Sequence, residues 1–237
     1  MQKVLLLKQI MLIDFRQVCL QRSGRQILRD VTLSLSEQRV GIIGPNGSGK
    51  STLARLVNGL AVPSSGMVLF NGVDVAQHLK QIRRQVGFLF QNPDNQIVFP
   101  LVAEDLDFGL KARLSDSRAR QTRIEQTLAQ IGIENLMKRS VHELSGGEKQ
   151  LVALAAVLCV APDVLVFDEP TTQLDLRYKN RFQRIISGLP QPIVMVTHDL
   201  DLLKDFDRVI VMIDGQVAHD SQPATALNWY VEQMGVL

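Results

Sequence analysis

A glycine-rich loop carries the clearest chemistry in this sequence. Four residues separate Gly44 from Gly49, and Lys50 and Ser51 follow at the junction of a predicted strand and helix. Glycines let backbone N–H groups converge on phosphate oxygens, and the helix N-terminus adds partial positive charge. Lys50 brings a cation to the β- and γ-phosphates, and the Ser51 hydroxyl can ligate Mg²⁺. The motif predicts nucleoside triphosphate binding by Gly44, Pro45, Asn46, Gly47, Ser48, Gly49, Lys50, Ser51 and Thr52.

Two acidic residues follow an apolar run further along the chain. Val164–Phe167 reads as a buried strand, and Asp168 and Glu169 come directly after it. Asp168 is suited to hold Mg²⁺ beside Ser51, whereas the Glu169 carboxylate can orient a water and accept its proton. Without other motifs, two acidic residues at this position would be interpreted as a solvated pair at the end of a strand. Beside a phosphate loop it predicts hydrolysis of the bound nucleotide.

The elements that must position these residues alternate between strands and helices. Strands are predicted at Leu12–Leu20, Ile27–Leu35, Arg39–Ile43, Met67–Phe70, Val73–Val75, Val86–Phe90, Val164–Phe167, Ile193–Val196, Val209–Ile213 and Gln216–Ala218. Helices are predicted at Ser51–Leu60, Val102–Leu114, Asp116–Ile131 and Ser145–Val160. The order indicates an α/β core with an inserted, mostly helical segment.

Composition limits the function classes. The 237 residues are 46% hydrophobic and 21% charged, which is typical of a folded domain and argues against disorder. A net charge of +2 is too small for a nucleic-acid binder, so no nucleic-acid partner is expected. No apolar run approaches the roughly 20 residues that span a bilayer. Cys19 and Cys159 have no metal-ligand or redox spacing, and we expect two buried thiols in a reducing compartment.

A third segment gives the motifs their context. Ser145 can cap a helix whose first residues, Gly146 and Gly147, leave backbone N–H groups open to an anion. The run Leu144–Gln150 stands 24 residues before Asp168. With the phosphate loop upstream, it resembles the signature segment of the ABC-type ATPases. The resemblance implies a P-loop NTPase (RecA-like) core, an antiparallel β subdomain and an inserted α-helical subdomain.

The same resemblance implies how the signature works. In ABC ATPases, two chains form a head-to-tail dimer around two ATP molecules, so Ser145, Gly146, Gly147 and Glu148 would serve the partner's ATP. Asp175 resembles the residue of a loop that crosses the dimer near the attacking water. A complete set of motifs permits a homodimer, and a paralogous second subunit is the open alternative.

Three further positions acquire roles from the resemblance. Gln91 resembles the glutamine that joins the Mg²⁺ and water shell, and His198 resembles the switch histidine that contacts the γ-phosphate. A lone strand-end histidine is more often structural. Many ABC ATPases stack an aromatic residue on adenine from the first hairpin, where this chain has Arg22. A guanidinium plane can stack on a base, although an exposed turn arginine is an equal alternative.

The predicted organisation is one ABC ATPase domain over residues 11–237. Its core would comprise residues 11–90 and 162–237, with the helical signature subdomain at about 91–161. Residues 1–10 are interpreted as an N-terminal extension, and Met11 is an equally good first ordered residue.

A finer resemblance concerns the class of ABC protein. The runs Gln91–Pro100 and Glu104–Leu110 are similar to those of energy-coupling-factor importers, which take up vitamins or metal ions. This implies a peripheral subunit on the cytoplasmic face of the cell (inner) membrane, partnered by a transmembrane coupling protein and a solute-binding membrane protein. Asp94 would lie in the groove for a coupling helix, or be a polar loop residue.

The short segment after His219, together with these two runs, most resembles the ATPases of biotin importers in this group. About 18 residues follow His219, whereas many ATPases of the group carry a longer C-terminal extension. The alternatives are a soluble ABC ATPase acting on nucleic acid or ribosomes, and a regulatory nucleotide sensor with negligible turnover. The presence of both Glu169 and His198, the residues expected for hydrolysis, argues against the nucleotide sensor.

Overall fold

Two β-sheets and seven helices form the part of the chain that the computed structural model describes, residues 11–235. The predicted extension at residues 1–10 lies outside these residues. The strands are β1 Ile13–Arg22, β2 Arg25–Leu35, β3 Arg39–Ile43, β4 Ser65–Phe70, β5 Val73–Asp74, β6 Val86–Leu89, β7 Val164–Asp168, β8 Ile193–Val196, β9 Arg208–Ile213 and β10 Gln216–Ser221. The helices are α1 Lys50–Val57, α2 Leu79–Gln85, α3 Val102–Lys111, α4 Ser117–Ile131, α5 Gly146–Cys159, α6 Leu176–Ser187 and α7 Pro223–Gly235.

The larger sheet places the predicted chemistry at one edge. Its order is β10-β9-β3-β8-β7-β6, and every neighbouring pair except β10 and β9 is parallel. Strands β3, β7 and β8 are almost wholly buried and apolar, as expected for parallel strands covered on both faces. Val196 pairs with both Ile42 and Asp168, so the loops after these three strands emerge side by side.

The smaller sheet is antiparallel, with the order β2-β1-β4-β5. Its first hairpin turns at Ser23-Gly24, and Arg22 pairs with Arg25 across the turn. The second turns at Asn71 and Gly72, which have φ of 50° and 81°, as a type I′ turn requires. Both hairpins were predicted. Together with the larger sheet and the helical insertion, this sheet confirms the predicted fold class.

The helical insertion lies between β6 and β7. Asp116 caps α4, and Gly132 ends it with a left-handed conformation at φ 70°. Helices α3, α4 and α5 pack around a shared apolar core with α6 and the adjacent face of the larger sheet. The three predicted helices are therefore present. The boundaries at residues 90–91 and 161–162 stay a prediction.

Several details differ from the sequence-based expectation. Helix α1 ends at Val57 rather than Leu60, because Gly59 turns the chain with φ 68°. Helices α2, α6 and α7 were not predicted. Cys159 is buried, but Cys19 is only half-buried, where its Sγ accepts the Asp30 N–H. Within residues 11–235, no helix is both long enough and apolar enough to cross a membrane.

Candidate functional site

The phosphate loop leaves β3 and enters α1 as predicted. The Lys50 ammonium is buried and donates to the carbonyl oxygens of Gly44 and Pro45, each at 2.9 Å. Burial lowers the pKa of Lys50, and the nearby charges of Glu169 and Asp168 partly oppose that effect. The cation therefore lies inside the loop and faces both acidic residues at the end of β7.

Glycine is required in this loop because the backbone has no room for a side chain. A Cβ at Gly44, where φ is 145°, would lie 2.1 Å from the Met212 carbonyl oxygen. The hairpin between β9 and β10 also holds the loop from outside, since the Gly215 N–H donates to the Ser48 carbonyl at 3.1 Å. The loop is thus fixed by backbone contacts before any ligand binds.

Glu169 lies at the centre of a polar cluster. Its carboxylate accepts from Thr172 Oγ1 at 2.9 Å and, at a longer 3.4 Å, from Gln91 Nε2, and its Oε1 lies 2.8 Å from His198 Nε2. Its φ of 51° is rare for a non-glycine residue, and its N–H donates to the Val196 carbonyl at 2.9 Å. The structure thus brings Gln91, Glu169 and His198 together. It also adds Thr172, which no sequence motif indicated and which stands three residues after Glu169.

Asp168 is buried and only partly satisfied. Its Oδ2 accepts from Arg55 Nη2 at 3.1 Å, a contact that no sequence motif indicated. Among residues 11–235, neither Asp168 Oδ1 nor the buried Ser48 Oγ has a hydrogen-bond partner. Because a buried carboxylate oxygen of this kind requires a partner, and because Mg²⁺ prefers oxygen ligands, Asp168 fits its predicted role in holding a magnesium ion.

A cavity of about 260 Å³ lies over the phosphate loop. Its walls include Arg25 and Ile27 from β2, together with Glu169 from the end of β7. Arg22, the predicted base contact, is not among the residues that line it, although it pairs with Arg25 across the hairpin. The loop residues in the wall are Asn46, Gly47, Gly49, Lys50, Ser51 and Thr52.

The signature segment forms the first turn of α5. Ser145 and Glu148 form a reciprocal capping box: Glu148 Oε2 accepts the Ser145 N–H at 2.8 Å, and Ser145 Oγ accepts the Glu148 N–H at 3.3 Å. The Ser145 N–H and the Ser145 hydroxyl, which also donates to Glu148 Oε2 at 2.9 Å, hold the pKa of Glu148 below its ordinary value. A Cβ at Gly146 would meet nothing within 4 Å, whereas one at Gly147 would lie 2.3 Å from the Tyr178 ring.

Tyr178 connects this turn to the predicted dimer-crossing loop. Asp175 caps α6 by accepting the Tyr178 N–H at 2.9 Å, and the Tyr178 ring fills the space that glycine leaves at position 147. No residue of the segment Leu144–Gln150 is part of the cavity wall over the phosphate loop. The two motifs therefore occupy separate places on one chain.

The loop after β6 presents an apolar surface to solvent. Val98 and Phe108 are exposed, and Phe108 packs against Phe99 with ring centroids 4.9 Å apart. The buried Asp105 carboxylate accepts the N–H groups of Val98 and Phe99 at 2.8 and 3.0 Å, which fixes the loop. We call the residues Ile97, Val98, Phe99, Leu101 and Phe108 the loop surface.

Asp94 lies in the same loop and forms an ion pair with the signature helix. Its Oδ1 is 2.8 Å from the Lys149 ammonium, and 61% of the Asp94 side chain is exposed. The pairing was not predicted, because it joins positions 55 residues apart.

Comparisons with known proteins agree with these motifs. The family model described as ABC transporter matches residues 28–172. A putative ABC transporter ATP-binding protein of Deinococcus radiodurans is 49% identical over 94% of this chain and 99% of its own length. The biotin transport ATP-binding protein BioM of Rhizobium etli is 45% identical over 93% and 98%. The energy-coupling factor transporter ATP-binding protein EcfA1 of Halalkalibacterium halodurans is 42% identical over 84% and 73%.

Solved structures show the same architecture. The structure of cbiO1 from Clostridium perfringens, described as part of the ABC transporter complex cbiONQ, has a TM-score of 0.83 at 30% identity over 95% of this chain and 94% of its own. The ATP-binding cassette MJ0796, solved as a dimer bound to ADP and Pi, has a TM-score of 0.81 at 27% identity over 89% and 98%.

Proposed function

The chain belongs to the ABC transporter family of ATP-binding proteins, and we propose that it is the ATP-hydrolysing subunit of an energy-coupling-factor importer. The observation that best supports ATP hydrolysis is the position of Glu169, which lines the cavity over the phosphate loop and lies 2.8 Å from His198 Nε2. The similarity to BioM favours biotin as the solute, with another vitamin or a metal ion as the alternatives.

ATP would bind with its phosphates over the loop residues 44–52. Lys50 meets the β- and γ-phosphates, and backbone N–H groups at the start of α1 supply the remaining positive field. Ser51, Gln91 and Asp168 would hold Mg²⁺, which neutralises charge on the phosphate oxygens when bound. Arg55 donates to Asp168 Oδ2, while Asp168 Oδ1 has no partner among residues 11–235 and so is the oxygen that would meet the ion.

Glu169 performs the proton transfer. Its carboxylate can orient the attacking water and accept its proton, while Thr172 and His198 hold the carboxylate in place. Gln91 lies at hydrogen-bond range from the same carboxylate and so connects the loop after β6 to the reaction.

A second chain completes each site. The Gly146 region is open in one chain and lies outside the cavity wall, so its exposed helix N-terminus is available to another chain's ATP. The dimeric MJ0796 cassette bound to ADP and Pi supports this arrangement. Asp175 would lie near the contact between the two chains. It caps α6, and Tyr178 of that helix packs against Gly147 of the signature segment.

The base contact is expected to involve Arg25 more than Arg22. Arg25 lines the cavity, and a guanidinium that stacks on adenine contributes on the order of 1–2 kcal/mol. We therefore expect Arg25→Ala to raise the Kd for ATP about fivefold to thirtyfold, whereas Arg22→Ala changes it less than about twofold. Equilibrium titrations with ATP and GTP would measure both. Equal effects of the two substitutions would return Arg22 to the base site.

The membrane partner would dock on the loop surface. Apolar side chains in solvent, rimmed by Asp94 and Glu104, suit an amphipathic helix that carries a basic residue. A peripheral position on the cytoplasmic face of the cell (inner) membrane follows from such docking. The partners are then a transmembrane coupling protein and a solute-binding membrane protein.

The Asp94 ion pair gives this docking a test. An exposed pair contributes about 0–1 kcal/mol, so Asp94→Arg should fold normally while placing a second cation beside Lys149. We expect solute uptake by the assembled transporter to fall more than about tenfold, with basal ATP hydrolysis of the isolated subunit within about twofold. Uptake assays in reconstituted vesicles would measure this. Unchanged uptake would remove Asp94 from the groove.

Co-purification is the experiment that tests the function itself. The tagged chain should co-purify with membrane proteins, and the complex, reconstituted in vesicles, should take up biotin when ATP is supplied. DNA or RNA should not stimulate the ATPase activity of the chain. Stimulation by nucleic acid, without membrane partners, would favour the soluble alternative.

A further inference from the structure

Two arginines bind the carboxyl end of the signature helix. Arg123 donates to the carbonyls of Leu158 and Cys159, through Nη2 at 3.2 Å and Nε at 3.1 Å. Arg113 donates through Nη1 to the Val160 carbonyl at 2.6 Å. The last carbonyls of a helix lack partners within the helix and carry partial negative charge, so cations here stabilise α5.

Arg113 differs from Arg123 in its second contact. Its Nη2 donates to the Arg84 carbonyl at 2.5 Å, and Arg84 lies in the last turn of α2. One guanidinium therefore binds the carboxyl ends of two helices, α2 and α5. Helix α2 leads directly into β6, whose following loop carries Gln91. Both contacts of Arg123 remain on α5.

We propose, building on the dimer described above, that Arg113 is a positioning residue that sets the angle of α5 relative to the core. The first turn of α5 must meet ATP held by another chain, and α5 runs from Gly146 to Cys159. With a rise of about 1.5 Å per residue, its two ends lie roughly 20 Å apart. A small rotation at the Arg113 end therefore displaces the signature turn by a larger distance.

The fork geometry of arginine suits this role. Two N–H groups in the plane of one guanidinium donate to two carbonyls. The hydrogen bonds therefore fix the distance between the two carbonyl groups, and the cation also faces their partial negative charge. Burial, followed by the like charge of Arg84, lowers the pKa of Arg113. An arginine stays protonated in proteins, so the connection holds at all physiological pH values.

Arg113→Ala and Arg123→Ala form a matched pair for the test. Each removes two arginine–carbonyl hydrogen bonds, but only Arg113→Ala removes a side-chain link between the carboxyl ends of α5 and α2, where the hydrogen bond from the Asp163 N–H to the Gln85 carbonyl remains. In a Glu169→Gln background, we expect Arg113→Ala to weaken ATP-driven dimerisation about fivefold or more, with monomer ATP affinity unchanged. Arg123→Ala should weaken it less than about twofold. Equal effects, or none, in sedimentation measurements would overturn the proposal.

A distance measurement within one chain tests Arg113 independently of dimerisation. Spin labels at the exposed positions Gln81 on α2 and Gln130 on α4, in a Cys19→Ala background, report the angle between the core and the helical segment. Buried Cys159 should not label, since burial raises its thiol pKa. Arg113→Ala should broaden the distance distribution and Arg123→Ala should not. Identical distributions would refute the positioning role, whereas a parent that never dimerises with ATP would refute only the dimer.

Discussion

Glu169→Gln should nearly abolish ATP turnover while preserving ATP binding. The amide keeps the size of the side chain and can still accept a hydrogen bond from Thr172 beside His198, but it cannot take a proton from water. Losing a general base lowers the rate by about 10² to 10⁴. ATP affinity should stay the same or increase, because a carboxylate that repels the γ-phosphate has been removed.

Three measurements check this expectation. Steady-state phosphate release gives the loss of rate, equilibrium titration gives the Kd for ATP, and sedimentation with ATP shows whether a dimer accumulates. Glu134→Gln is the matched control, since Glu134 is an exposed residue in the helical insertion, away from the cavity wall. Turnover at the wild-type rate in Glu169→Gln would remove Glu169 from the mechanism.

The catalytic loops could be located from the sequence because each follows an apolar parallel strand. Strands β3, β7 and β8 are short, buried runs, and the ends of adjacent parallel strands meet at one edge of a sheet. These strand ends located Lys50 and Glu169, whereas His198 was located by the family resemblance, because the sheet places β8 between β3 and β7 out of chain order. Their contacts did not follow from order, because the sequence does not show that His198 reaches the Glu169 carboxylate.

Contacts made by long side chains could not be predicted. Arg55 with Asp168, Lys149 with Asp94 and Arg113 with Arg84 each join distant positions, and the direction of an arginine or lysine side chain depends on packing. Helix α6 was missed because most of its residues are polar or charged and its apolar stripe is narrow, with only Phe182 and Ile186 buried. The sequence also did not show which arginine of the first hairpin lines the cavity. Arg22 and Arg25 face each other across one turn, and the structure places Arg25 in the wall.

Gly146→Asp should fold normally and yet eliminate hydrolysis. A Cβ at this position meets nothing within 4 Å in the chain, and an acidic residue in the first turn of a helix stabilises it by about 0.3–1 kcal/mol. In a dimer, the same carboxylate would face the partner's ATP and repel it. Monomer ATP affinity should therefore be unchanged and Tm should not fall, while turnover falls by more than about a hundredfold. Ser117→Asp, at the first residue of α4, is the matched control.

Mixing two inactive variants tests whether the site is shared between chains. Lys50→Ala removes the phosphate contact of its own chain but keeps its signature, whereas Gly146→Asp keeps the phosphate loop and blocks the signature. In a mixed dimer, the Gly146→Asp chain binds ATP against the intact signature of the Lys50→Ala chain, so one of two sites is complete. With random pairing, half of the dimers are mixed, and independent sites would restore about a quarter of wild-type turnover. If Gly146→Asp alone hydrolyses ATP at the wild-type rate, the signature does not serve a partner's nucleotide, and each chain must contain its whole site.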